Sequence, residues 1–346
     1  MSYPQATTGF KLYDFRSDTV TKPTPGMVAA MAAAQVGDDV WGDDPSVNRL
    51  QAVAAERLGF EAGLFAPSGT QSNLIGLLTH CQRGDEYLVG QEAHTYRYEG
   101  GGAAVLGSIQ PQPLENADDG SIPLDKLRKA VKPIDPHFAR TRLLALENTI
   151  GGKVLPASYV QAATDWAHSI GLATHLDGAR LCNAAVQRGL ALSDMARGFD
   201  SVSICLSKGL GAPVGSLLLG SRDFITKAKR WRKMLGGGMR QAGFLAAAGL
   251  YALDHHVERL ADDHRNAARL AEGLAALPGL TVTPPHTNIV FVDVDEKIAT
   301  DFSSHLAKHG VLISGRDQQR WVTHLDVDAD AVEATLRIAQ AYFEGR

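Results

Sequence analysis

An aspartate and a lysine 31 positions apart set the chemistry to be considered. Asp177 closes the apolar run of ATHLDGARL, and Gly178 follows it directly. An acid in such a place ordinarily caps the next helix. Lys208 comes after the run SICLS and before the glycine-rich GLGAPVG. A loop lysine is ordinarily solvated, and the glycines ordinarily serve turns. Between apolar runs, however, an amine loses part of its hydration and becomes a usable nucleophile. In FAPSGTQSNLIGLL, Ser68, Gly69 and Thr70 lead from a strand into a helix. Backbone N–H groups at a helix start, with a glycine allowing close approach, suit a phosphate. The lysine of GxxxxGK[ST] is missing there, which argues against a nucleoside triphosphate. In GQEAHTYRYEGGG, His94 and Tyr98 follow a strand end and precede three glycines.

Each segment has an ordinary structural reading when taken alone. Their order along the chain is also a known chemical requirement. A phosphate cup comes first, then a flat ring near a strand end, then an acid, then a lysine. Pyridoxal phosphate needs all four: an amine for its aldehyde, an acid for its ring nitrogen, a phosphate site, and a planar side chain over one ring face.

Residues so far apart in sequence have to be brought together by strands and helices. Strand candidates are 63–66, 86–89, 103–109, 143–147, 172–176, 202–206 and 216–219. They are short and mostly apolar on both faces, as strands covered by helices on both sides are. Asp44 is placed to cap the helix PSVNRLQAVAAERL, with Pro45 at its first position and Gly59 past its end. Pro156 opens a second helix that closes at Gly171. This alternation predicts an α/β domain with a mainly parallel sheet. After about residue 240 the texture changes. A long helix over 241–276 precedes strand-like 287–294, 311–314 and 321–325, with helices over 297–308 and 329–343. We expect a large domain over 1–250, including an N-terminal arm, and a smaller α+β domain over 251–346.

The segments SGTQSN, GQEAH, LALENT, HLDGAR, CLSKGLGAPVGS, RWRKMLGGGMRQ and WVTHLD carry a family resemblance, as do DFRSDTVTKPTPGM and GDDVWGDDPSVN. Together they resemble the low-specificity L-threonine aldolases, in the aspartate-aminotransferase-like (fold type I) group of pyridoxal-phosphate enzymes. The resemblance implies reversible cleavage of threonine, allo-threonine and related β-hydroxy-α-amino acids to glycine and an aldehyde. It implies that Lys208 binds the cofactor aldehyde and that Asp177 meets the ring nitrogen. Arg180 would lie near the cofactor's O3′. Gly69, Thr70 and Ser207 join the cofactor site, and His94 stacks on the ring. Arg240 would reach the phosphate of a neighbouring subunit, in a homotetramer with shared sites. Ser17 and Arg320 would hold the substrate carboxylate, with Arg316 a competitor for that role. Tyr98, His137 and Lys233 complete the substrate side, and His94 and His137 are both candidates for the base on the β-hydroxyl. Another pyridoxal-phosphate reaction, racemisation or β-elimination, remains the alternative, since a fold does not fix a reaction.

Composition excludes other classes. The net charge is −4 and the densest basic run, residues 227–233, reads as a solvated helix face. No nucleic-acid or membrane partner is expected. No segment approaches the ~18 apolar residues of a membrane span. The three cysteines lack metal or disulfide spacing, so no metal is expected, and a cytoplasmic protein with reduced thiols fits. A dinucleotide site would need GxGxxG after a strand, and GLGAPVG has the wrong spacing.

Overall fold

The computed structural model describes residues 11–344. The chain divides into two compact units. Pro23–Val257 form one, and the described residues of Met1–Lys22 and Glu258–Arg346 form the other. The strands are β1 (Tyr13–Asp14), β2 (Ala62–Ala66), β3 (Asp85–Gly90), β4 (Gln110–Leu114), β5 (Arg140–Glu147) and β6 (Ala173–Asp177). They continue as β7 (Ser201–Cys205), β8 (Ser216–Gly220), β9 (Leu280–Thr283), β10 (Ile289–Val294), β11 (Val311–Leu312) and β12 (Gln318–Val322).

The larger unit holds a seven-stranded sheet in the order β2-β8-β7-β6-β5-β3-β4. All its strands run one way except β8, which pairs antiparallel with both β2 and β7. This is the expected α/β architecture with a mainly parallel sheet. Every residue of β3, β7 and β8 is buried, which fits their largely apolar sequences; the polar exceptions, among them Asp85, Glu86, Ser201 and Ser203, are buried too. Helix Pro45–Leu58 starts as predicted. The Asp44 carboxylate accepts from the Val47 N–H at 3.0 Å, and Gly59 takes the left-handed conformation at φ 76° that ends it. Its buried residues, Val47, Leu50, Ala54, Ala55 and Leu58, form one stripe.

Two expectations about this unit needed correction. Residues 103–109 are not a strand: most belong to helix Gly102–Gly107, which exposes Val105 and Leu106. The strand at this point is β4, whose sequence QPQPL has two prolines. Proline cannot donate to a ladder, and β4 sits at the sheet edge, where that costs least. The basic run is not wholly solvated either. Arg232, in helix Arg222–Met234, is buried, donates to the Phe65 carbonyl at 2.8 Å and pairs with Asp39 at 2.9 Å.

In the smaller unit β12-β10-β9 form an antiparallel sheet, and β1 pairs with β11. That pairing ties the described N-terminal residues to this unit, whereas the sequence reading grouped the N-terminal arm with the large domain. Phe15 and Trp321 pack in its core with ring centroids 5.4 Å apart. The long helix expected over 241–276 is two helices, Gly243–His255 and Leu260–Ala275, and the boundary between units falls in the break. No helix among the described residues is long and apolar enough to cross a membrane.

Candidate active site

The C-terminal ends of β2, β3, β5, β6 and β7 lie along one edge of the large sheet. In open α/β sheets that edge is where ligands bind. Segments leaving it carry Ser68, His94, Asp177 and Lys208. Asp177 stands in register with Glu147 of β5 and Ser203 of β7. Its carboxylate is buried and both oxygens are held. Oδ1 accepts from the Ala179 N–H at 3.0 Å, and Oδ2 accepts from Asn73 Nδ2 at 2.8 Å. The bond to Ala179 closes a turn and does not cap the next helix as expected: helix Leu181–Arg188 starts from Arg180 with no side-chain cap, and the turn uses only one of the two oxygens.

Asn73 also donates to Glu99 Oε1 at 2.9 Å, and Glu99 in turn bonds His94 Nδ1 at 2.9 Å. The His94 N–H donates to Glu147 Oε2 at 2.7 Å. One ligand-capable atom from each of His94, Glu99 and Asp177 lies within 4.8 Å of the others. Both Asp177 and Lys208 exert their charge on His94, and both do so on Glu147. The amine and the acid thus both lie near enough to His94 and Glu147 for their charges to be felt there.

The electrostatics follow from this crowding. The hydrogen bond to Glu99 holds the His94 imidazole above its ordinary range. Burial pushes the Glu99 carboxyl up, and burial together with Asp177 pushes Glu147 up. The charge of Asp177 adds to the rise of both Glu99 and Glu147, so the pocket favours cationic partners.

Helix Gly69–His80 begins at the same edge. Ser68 caps it, its Oγ accepting from the Gln71 N–H at 3.2 Å. The N–H groups of the first turn have no partner within their own helix. A Cβ on Gly69 would lie 2.6 Å from the Cys205 sulfur, so only glycine lets this helix start come so close to the end of β7.

The remaining sequence-predicted residues are placed as follows. Arg180 is half-buried at the start of helix Leu181–Arg188, and Ser207 and Lys208 are half-buried. Tyr98 is exposed, with its ring centroid 5.7 Å from that of His94. Thr70 and Lys233 are exposed. Arg240 is exposed and pairs with Asp38 at 2.8 Å. His137 is 84% exposed and bonds Asp135, three residues before β5 begins. Glu147 ends that eight-residue strand, which spans about 25 Å. One chain therefore does not bring its own His137 to the cluster. In the smaller unit, Ser17 caps a short 3-10 helix, and Arg320 Nη2 donates to the carbonyl of neighbouring Arg16 at 3.3 Å. Arg316 is exposed and engaged twice by Asp317.

Sequence reasoning did not single out Asn73, Glu99 or Glu147. The available signal was a polar residue inside or at the end of an otherwise apolar run: Asn73 before LIGLL, and Glu147 closing LLALE.

Comparison with known proteins fixes the family. Residues 14–297 match the family model described as beta-eliminating lyase. The low specificity L-threonine aldolase of Escherichia coli K12 is 56% identical over 319 residues, covering 92% of this chain and 96% of that protein. The chain belongs to this family. Within it, the probable low-specificity L-threonine aldolase 2 of Arabidopsis thaliana is 48% identical, covering 84% of each chain. Among solved structures, a threonine aldolase from Leishmania major superposes with a TM-score of 0.82, covering 95% of this chain and 99% of that one. Its identity is 21%, so that likeness is one of fold. The fold type expected from the family resemblance is the one observed.

Proposed function

We propose that this family member works as a low-specificity L-threonine aldolase, with Lys208 and Asp177 as the residues that hold and activate its cofactor. It is a carbon–carbon lyase that uses pyridoxal phosphate and acts on small β-hydroxy-α-amino acids, giving glycine and an aldehyde. The observation that carries the residue assignment is the cluster of His94, Glu99 and Asp177, with the charge of Lys208 felt at His94 and Glu147.

The described residues fit the cofactor. A buried carboxylate with both oxygens held suits a protonated ring nitrogen. The start of helix Gly69–His80, narrowed against Cys205, suits a phosphate. When bound, pyridoxal phosphate supplies an aldehyde for amines and a ring that draws electrons from the bond to be broken. Lys208 is the amine that holds it between turnovers. Arg180, Gly69, Thr70 and Ser207 complete its contacts. His94 brings a flat ring to the same cluster. With Nδ1 committed to Glu99, the neutral imidazole carries its lone pair on Nε2, the atom placed to take the proton of the β-hydroxyl. Ser17 and Arg320 clamp the substrate carboxylate. A bidentate guanidinium fixes which bond at Cα lies in line to break. Arg320 is favoured over Arg316 because it directly precedes WVTHLD.

The enzyme is read as a cytoplasmic homotetramer. Its three cysteines are buried as thiols. Lys233, Arg240 and His137 are exposed, and His137 in particular could serve only the site of another copy. Purified protein incubated with threonine should yield glycine and acetaldehyde in equal amounts, at a mass by light scattering of four chains. Keto-acid release instead would favour elimination or transamination, and a monomer with full activity would remove the shared-site reading.

The His94–Glu99 bond gives a pH prediction. Glu99 raises the His94 pKa, and a base works only once it is deprotonated. Glu99→Gln should therefore move the acid limb of the kcat/KM profile to lower pH. An unmoved acid limb would show that the base is another group.

A further inference from the structure

Helix Gly69–His80 does more than present a phosphate site. Asn73, Gly76 and His80 share one face of it, at helical spacings of three and four. That face lies against β6 and β7, and a continuous run of hydrogen bonds, buried except at its partly buried His80 end, connects the helix to the sheet. Asn73 Oδ1 is 3.2 Å from His175 Nε2, His175 Nδ1 is 2.8 Å from Ser201 Oγ, and Ser201 Oγ is 2.7 Å from His80 Nε2.

Donor bookkeeping gives this run a single polarity. Both Asn73 amide hydrogens are used, one on Asp177 and one on Glu99. Asn73 Oδ1 can only accept, so His175 donates from Nε2. A neutral His175 then has a bare Nδ1, which accepts the Ser201 hydroxyl hydrogen. Ser201 has no second hydrogen, so its oxygen accepts from His80 Nε2. Both histidines are thereby fixed as the Nε2–H tautomer, provided both are neutral. Burial ensures that, pushing His175 down to about 3 and His80 down to about 4. Flipping the Asn73 amide would turn its oxygen onto two carboxylates and its hydrogens onto an N–H, so the run admits no reversed state.

The sequence makes deliberate room for it. A Cβ on Gly76 would come within 2.8 Å of His175 Cε1, so the helix carries a glycine where the imidazole passes. A mid-helix glycine is less favourable than alanine, so its presence here needs a local reason. His80 closes the run with its ring 4.5 Å from that of Phe224.

We propose that His80, Ser201, His175 and Asn73 form a positioning relay that locks Asp177 in the orientation needed to grip the cofactor's ring nitrogen. None of the four touches the reacting atoms. Their part is to hold the Asn73 amide so that its N–H always faces Asp177 Oδ2. Fully satisfied buried networks rigidify what they hold, whereas an apolar filling would serve stability equally well. The inference rests on the assignment of Asp177 under the proposed function.

The test compares His175→Leu, which removes the donated hydrogen, with His175→Gln, whose amide can donate in its place. Holoenzyme of each is equilibrated with free pyridoxal phosphate, and both the dissociation constant and the visible absorbance maximum are read. His175→Leu should bind the cofactor roughly tenfold more weakly and shift the maximum, because ring-nitrogen protonation is less well held. His175→Gln should recover most of both. Unchanged values in a folded His175→Leu overturn the relay. So does an equal loss in His175→Gln, which would make volume the cause. Should His175→Leu fail to fold, His80→Phe keeps the ring contact with Phe224, removes the last donor and is read by the same two criteria. If unaltered protein takes up no cofactor, the functional reading itself fails, an outcome distinct from any of these.

Discussion

Lys208→Ala is expected to lower threonine cleavage by roughly 10³-fold or more and to remove the visible absorbance of the cofactor-loaded protein. The size of the effect follows from the geometry. Lys208 is the amine whose charge reaches both His94 and Glu147, beside a buried carboxylate. Alanine leaves the aldehyde of the cofactor without that partner. It should leave the fold alone, because the loop is held by its backbone. The Leu206 N–H donates to the Gly215 carbonyl at 2.9 Å, and the Gly211 N–H donates to the Lys208 carbonyl at 2.8 Å. Neither bond needs the side chain. Turnover, the absorbance spectrum and thermal unfolding measured on one preparation separate these effects. Full turnover with the band retained would mean that another amine does the work, and the site would have to be sought elsewhere.

The parts of this site that could be read from sequence were those signalled by short-range grammar. Asp177 closes an apolar run and Lys208 follows one, so their place at or just past strand ends was visible before their neighbours were. Asp44, Pro45 and Gly59 mark a helix because capping is local. What sequence did not disclose depended on partners far along the chain. Asn73 is an unremarkable helix residue until Asp177, 104 positions later, and Glu99 come to it. Arg232 looked like one of several solvated cations, and only the fold turned it inward onto Asp39 and the Phe65 carbonyl. β4 was hidden by its prolines, which argue against a strand unless the strand lies at an edge, and edges are a property of the sheet. Periodicity also failed over residues 103–109, where a short apolar run fits helix and strand equally. His137 is a different case: its position in sequence fitted the family pattern, yet β5 carries it to the far edge of its own sheet.

Asp177→Asn is the second large effect expected, and it separates charge from shape. The amide retains an oxygen able to accept from the Ala179 N–H, so the turn after β6 can persist. What is lost is the negative charge facing the ring nitrogen, and with it the pull that keeps a proton there. Removing one well-placed charge or donor from a water-excluded site costs about 10²–10³ in kcat. The second carboxamide also disturbs its neighbour. Asn73 donates two hydrogens and has no acceptor to offer Asp177's side, so an introduced NH2 must turn away or lose its partner. A further consequence is electrostatic. Asp177 is among the charges that raise the carboxyls of Glu147 and Glu99, so both should fall toward their ordinary range in the variant. His94, which Asp177 helps to hold up, should fall with them. The variant's remaining activity should then show its acid limb at lower pH. Steady-state rates across pH, read with the absorbance maximum, test the whole set. Rates near those of the unaltered protein would reduce Asp177 to a residue that shapes the turn at Ala179.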